Sequence, residues 1–241
     1  MERPDRAASG GSVLGRADYL AVSYDAKRVP FGPYPGRLCR WLHDEVFHGP
    51  GRLLDVGCGR GEFMAGFAAL GYGAAGVDVS PAAPGYAPGF DVRVANLEHE
   101  ALPFERGTFD YVFSKSVVEH LRDPDAFLAR CAAALRPGGT AVVMTPSWVH
   151  NHWGPFYVDH THVTPFTAPS LEQALTLAGL EDAKVRHFHQ LPAVWRFPAL
   201  KVLCALTAAL PIPYRPFHPG APWPDGLNKF IRFSNEVMLL G

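Results

Sequence analysis

Three glycines at alternate positions, Gly57, Gly59 and Gly61, stand between two carboxylates, Asp55 and Asp78, and this set is the part of the chain best suited to chemistry. Glycine reaches backbone angles closed to other residues and lets a ligand lie against the main chain. The helix expected just beyond offers free N–H groups and a positive dipole end, which suit a ligand carboxylate. Asp78 ends the apolar run Gly-Val-Asp-Val, where a strand-end acid accepts hydrogen bonds from ribose hydroxyls. A dinucleotide fingerprint would place its third glycine at position 62, which is Glu62, and Asp55 would repel a pyrophosphate. A sulfonium ligand carrying an ammonium group would be attracted by that charge.

A second group of reactive side chains lies further on. His120 follows an apolar run, and Asp159, His160 and His162 sit together in a segment rich in aromatics and proline. Histidine titrates near neutrality and suits a base that removes a hydroxyl proton. Alternate spacing would put His160 and His162 on one face of an extended segment. His150 and His152 are near in sequence, yet no familiar ligand spacing appears and no metal is expected. Trp148, Trp153 and Tyr157 are candidates to wall a substrate pocket.

The elements that must position these residues can be read from apolar periodicity. Tyr19 to His48 reads as a helical preface interrupted around Pro30, Pro33 and Pro35. Strands are expected at Arg52 to Val56, Ala74 to Asp78, Asp91 to Ala95, Phe109 to Ser114, Thr140 to Thr145, Ala183 to Phe188 and Phe230 to Leu240. Helices are expected at Glu62 to Leu70, at Val117 to Leu121, from Asp123 through Leu135, and at Ser170 to Ala178, with Pro81 to Pro88 as loop. The alternation predicts an α/β fold built on a doubly wound, mostly parallel seven-stranded sheet, with N-terminal helices and a long insertion before the last strand. Residues 1–15 read as a disordered terminus and 16–241 as one domain. Within it, 16–50 form a helical cap, 51–188 the cofactor-binding core, 189–229 an insertion or lid, and 230–241 the last strand.

Leu53 to Phe63, Leu-Leu-Asp-Val-Gly-Cys-Gly-Arg-Gly-Glu-Phe, resembles the first motif of the class I S-adenosylmethionine-dependent methyltransferases. Asn96-Leu97-Glu98, Phe109 to Leu121 with its Glu119-His120-Leu121 ending, and Leu135 to Val143 resemble later motifs of the same Rossmann-like family. The resemblance implies S-adenosylmethionine as cofactor. Asp55, Gly57, Gly59 and Gly61 would hold its methionine end, Asp78 its ribose, and Asn96 with Leu97 its adenine, while Cys58, Phe63, Val79 and Ser114 would line the same pocket. Where the family usually has an Asp, this chain has Asn96, which still accepts a hydrogen bond but without charge assistance. Tyr19, Tyr24 and Arg37 would reach over the cofactor. Asp159 to His162 with Phe166-Thr167 looks like a segment of bacterial members in glycan, envelope or natural-product pathways.

Bulk properties bound the partners. A net charge of −1 over 241 residues, with no basic stripe, argues against nucleic acid. Four scattered cysteines without paired spacing fit a reducing cytoplasm. The apolar stretch around 195–210, with Arg196 and Lys201, is a candidate contact for a membrane interface, a lipid-linked substrate or a second copy in a homodimer. The expected reaction is O-methylation of a small-molecule or sugar-containing acceptor. N- or C-methylation, a nicotinamide-dependent oxidoreductase and a non-catalytic binding module are the alternatives. His120, with Asp159, His160 and His162, would face the acceptor.

Overall fold

The apolar runs of the sequence become strands, the central ones largely buried on both faces, and the amphipathic runs become the helices that cover them. The computed structural model describes residues 18–24, 29–152, 156–209 and 237–241. In chain order it contains α1 (Tyr19–Ser23), α2 (Tyr34–Leu42), β1 (Arg52–Val56), α3 (Glu62–Ala68), β2 (Gly73–Asp78), the short α4 (Ala83–Tyr86) and β3 (Asp91–Val94). Then follow β4 (Phe109–Lys115), α5 (Pro124–Ala134), β5 (Leu135–Pro146), α6 (Trp148–Asn151), α7 (Ala168–Leu177), β6 (Arg186–His189), α8 (Pro192–Arg196), α9 (Leu200–Ala209) and β7 (Val237–Leu240). A 3-10 turn, Val118–His120, follows β4, and another, Phe156–Val158, follows α6.

The described strands form one seven-stranded sheet in the order β3-β2-β1-β4-β5-β7-β6. The first five in that order run parallel, and β7 lies antiparallel between β5 and β6. Alternation along each strand sends neighbours to opposite faces. Leu54 and Val112 join Phe127, Leu128, Leu171 and Leu175 beneath α5 and α7. Leu53 and Phe113 join Leu38, Leu42 and Phe67 beneath α2 and α3. Helix starts follow capping chemistry. Asp123 accepts from the Ala126 N–H at 3.0 Å to begin α5, and Thr167 with Ser170 forms a reciprocal capping box for α7.

Some boundaries depart from the sequence expectation for physical reasons. Leu135 leaves the helix and Pro137-Gly138-Gly139 becomes part of β5, because Leu135 pairs with Phe109 across a register shift. Residues 81–88 include α4 where a loop was expected, with Pro84 in its first turn. β6 starts at Arg186, since pairing with β7 begins there. Of the expected 230–240 strand, Val237–Leu240 is seen and 230–236 lie outside the described residues. The expected insertion holds α8 and α9 as far as Ala209, and the rest of it likewise lies outside. No described helix is long and apolar enough to cross a membrane. Helix α9 leaves Val202 and Leu206 exposed to solvent.

Phe127 is fully buried, whereas Phe197 is 57% exposed. Phe127→Ala is expected to lower stability by about 3–5 kcal/mol in urea unfolding. Phe197→Ala is expected to stay within about 0.5 kcal/mol of the parent.

Candidate active site

Strand order reverses at β1, with β2 on one side and β4 on the other, and a crevice forms at the carboxyl ends of strands at such a switch point. The loop after β1 and the turn after β4 touch there. A Cβ added to Gly57, at φ +86°, would stand 2.1 Å from Val117 Cγ2, so the two segments meet only because Gly57 has no side chain. The loop is fixed by main-chain bonds, with the N–H groups of Gly57 and Cys58 donating to the Val77 carbonyl at 2.7 and 3.1 Å.

Asp78 is buried at the end of β2 and is surrounded by donors. The Gly59 N–H donates to its Oδ2 at 2.8 Å and the Ser80 N–H to its Oδ1 at 2.8 Å. The Tyr19 hydroxyl lies 3.0 Å from both oxygens. Burial first, and the neighbouring Asp78 charge second, hold the Tyr19 phenol far above its usual range, so it stays a donor. Asp18 caps α1 through the Leu20 N–H and accepts from Ser80 Oγ at 2.6 Å. Arg60 fastens the preceding chain by donating to the carbonyls of Tyr24 and Val29, each at 2.8 Å, with its guanidinium 4.1 Å from the Phe31 ring centre. Helix α1 therefore lies on the glycine loop. Tyr19 was expected above the cofactor only from family resemblance, and Arg37 is exposed on α2, turned to solvent.

The other cofactor candidates are distributed unevenly. Asp55 is buried, with its Oδ2 unpartnered among the described residues, and burial, then Asp78, pushes its carboxyl well above the usual range. The Cys58 side chain packs with Met64 and Ala87, leaving its backbone to the loop surface. Phe63 rests on Phe113, with ring centres 5.2 Å apart. Val79 is exposed beside Asp78, and Leu97 is buried in the core. Ser114 donates to the Val56 carbonyl at 2.9 Å and so ties β4 to β1. Asn96 is exposed, and its side-chain oxygen accepts from the Glu98 N–H at 3.0 Å.

The histidines divide. Asp159 to His162 is a turn and not the expected extended segment, because Asp159 Oδ1 accepts both the Thr161 N–H at 2.9 Å and the Thr161 hydroxyl at 2.6 Å. His160 is consequently left exposed, while His162 packs against His120 with ring centres 4.6 Å apart. The Thr161 hydroxyl gives its proton to Asp159, so toward His120 Nδ1, 2.8 Å away, it acts as acceptor. His120 then carries its proton on Nδ1. His162 Nδ1 lies 2.6 Å from the Phe156 carbonyl and must also be the protonated nitrogen. Burial lowers both imidazole pKa values, and the His162 ring lowers the His120 value further. The outcome is two neutral rings with lone pairs on Nε2.

Beneath them Glu119 is fully buried. Thr145 donates to its Oε2 at 3.0 Å, its Oε1 is unpartnered among the described residues, and burial raises its pKa to about 7. The Glu119 carbonyl accepts from the N–H groups of Val163 and Thr164 at 2.9 and 3.0 Å, which joins the histidine segment to the turn after β4. Glu119, Thr145 and Thr161 were not picked out as site residues from sequence. The Glu-His pair of the fourth motif was the available signal. Tyr157 is exposed beside Trp148, and Trp153 lies outside the described residues.

A glycine loop, a strand-end acid and a reversed strand order define a Rossmann-like nucleotide-binding protein. A family model described as a methyltransferase domain matches residues 31–185, more than half of the chain, and the chain belongs to that family of class I S-adenosylmethionine-dependent methyltransferases. It is 41% identical over 115 residues to a ubiquinone biosynthesis O-methyltransferase of Bradyrhizobium sp., covering 44% of this chain and 42% of that protein. It is 40% identical over 111 residues to an uncharacterized methyltransferase of Mycobacterium marinum, covering 43% and 41%. The chain thus spans about two-fifths of the length of these curated relatives. The fold is shared with an S-adenosylmethionine-dependent methyltransferase of Archaeoglobus fulgidus at TM-score 0.55 and 19% identity, covering 86% of this chain and 92% of that one. A Mesorhizobium loti enzyme of the same description gives TM-score 0.54 and 22% identity, covering 70% and 91%.

The residues present fit S-adenosylmethionine, with one condition. The unpartnered Asp55 oxygen suits a cationic ligand group, and Asp78 suits a ribose diol, but Tyr19 already donates to both Asp78 oxygens. Ribose hydroxyls and the Tyr19 hydroxyl compete for the same lone pairs. Tyr19→Phe is therefore expected to tighten S-adenosylmethionine binding by about tenfold, the worth of a hydrogen bond of about 1.4 kcal/mol, in calorimetric titration. Asp78→Ala is expected to weaken binding by at least about tenfold.

Proposed function

We propose that this protein transfers the methyl group of S-adenosylmethionine to a hydroxyl oxygen of a small-molecule acceptor. The observation that carries this reading is the bond between His120 Nδ1 and the Thr161 hydroxyl, which leaves the Nε2 lone pair free on the turn whose Val117 packs against Gly57. S-adenosylmethionine, when bound, supplies a methyl group already activated by its sulfonium. The protein's work is to align the acceptor oxygen, exclude water and take up the hydroxyl proton.

His120 Nε2 takes that proton, and Asp159 stabilises the resulting imidazolium through Thr161. Burial first, and the neighbouring His162 second, hold the His120 pKa down, so the imidazole is free to accept at neutral pH. The names of the curated relatives support an oxygen acceptor. They favour a hydroxylated intermediate of ubiquinone biosynthesis over the sugar-containing acceptor suggested by the Asp159–Thr167 segment. Cys39, Cys58 and Cys131 are buried and form no disulfide among the described residues, which supports action in a reducing cytoplasm.

The test is methyl transfer from labelled S-adenosylmethionine to a panel of hydroxylated aromatic and sugar acceptors. Label in an O-methyl product supports the reading, and label found only on nitrogen or carbon overturns it. His120→Ala is expected to lower kcat/KM for the acceptor by about 10²–10⁴-fold while leaving cofactor affinity unchanged.

A further inference from the structure

We infer that Glu119, His120 and His162 form a site for one divalent first-row transition cation, open on one side to the hydroxyl of the acceptor. The inference deepens the hydroxyl methylation proposed above and takes its catalytic meaning from it, although cation binding itself can be tested alone.

The geometry points there first. One donor atom from each of the three residues lies within 4.8 Å of the others. Donors around zinc, with bonds of about 2.0–2.2 Å, stand about 3.5 Å apart, so small side-chain rotations bring the three into range. They need not be gathered from afar, because the Val163 and Thr164 N–H groups already hold the histidine segment on the Glu119 carbonyl.

The protonation pattern is the second ground. Metal-bound imidazole needs a lone pair on one nitrogen and a hydrogen bond from the other. His120 donates from Nδ1 to Thr161, which is backed by Asp159, and His162 donates from Nδ1 to the Phe156 carbonyl. Both Nε2 atoms are left as lone-pair donors. This is the pattern of outer partners that orient metal ligands.

The third ground is Glu119 Oε1, a carboxylate oxygen fully buried and unpartnered among the described residues. Such an atom is satisfied by a proton or by a cation. Two imidazoles and a carboxylate suit zinc, manganese, iron or cobalt better than the all-oxygen cations magnesium and calcium. Three protein ligands leave a position open. Half-exposed His120 and His162 give that position access to solvent, while Glu119 closes the floor. An acceptor hydroxyl bound there would release its proton to solvent more easily, with the His120 lone pair committed to the cation. Without the cation, His120 takes the proton itself. The ring pair His150 and His187, 4.6 Å apart, has no carboxylate in the corresponding group and serves as a control.

The experiment is titration of metal-stripped full-length protein with Co²⁺, followed by visible absorption and calorimetry, with S-adenosylmethionine binding measured in parallel. One equivalent is expected to bind with a nitrogen-oxygen ligand-field band. H162A, H162Q and E119Q are each expected to weaken it by about tenfold or more, and H150A to leave it unchanged. S-adenosylmethionine affinity should be the same in the parent, H162A and H150A. Should E119Q fail to fold, the two His162 variants decide. Absence of stoichiometric binding in protein that binds S-adenosylmethionine overturns the site, as does binding that survives H162A and H162Q. Methyl transfer to a hydroxyl without Co²⁺ binding overturns the site and keeps the proposed function. Stoichiometric Co²⁺ binding without transfer to any hydroxyl acceptor supports the site and overturns that function.

Discussion

A carboxylate buried at the end of a strand must be supplied with hydrogen bonds, and the way Asp78 is supplied organises the first half of this molecule. Its donors come from the glycine loop through Gly59, from its own strand end through Ser80, and from α1 through Tyr19. Desolvating a charge without such partners would be prohibitive, so the loop, the strand and the N-terminal helix are bound into one unit. The same requirement makes the site suitable for a ribose. Donors that satisfy the acid from the protein side can be exchanged for donors from a ligand.

On the far side of the switch point a different constraint operates. The turn after β4 sits where Gly57 allows it, and its Glu119 carbonyl collects the histidine segment. The glycine loop and the histidine segment are therefore both held to the turn after β4, one by the Gly57–Val117 contact and the other by main-chain hydrogen bonds to Glu119. Precise placement of reacting atoms is the chief demand that methyl transfer makes on a protein.

The sheet and the glycine loop were legible because their signals are local. Apolar runs of strand length, ended by Asp55-Val56-Gly57 or Val77-Asp78, specify strands wherever they occur. The Pro137-Gly138-Gly139 segment was misplaced because its strand character comes from pairing with β4, which no local pattern reveals. At the acceptor side, His120 and His162 were read as candidates from residue type. The tautomer of His120 depends on Thr161, 41 positions away, and its neighbour Glu119 bonds to Thr145 across 26 positions. His160 looked equivalent to His162 until the Asp159 turn rotated the two apart. Tyr19 reaches Asp78 over 59 positions, and only the family resemblance hinted at it.

Arg60 gives the arrangement a mechanical side. It is itself part of the glycine loop, yet its guanidinium holds the carbonyls of Tyr24 and Val29 and faces Phe31. The loop thus carries the backbone next to α1 on one of its own side chains, while Tyr19 of α1 bonds back to the strand-end acid beside that loop. A displacement of the glycine loop would be passed to α1 by two independent routes.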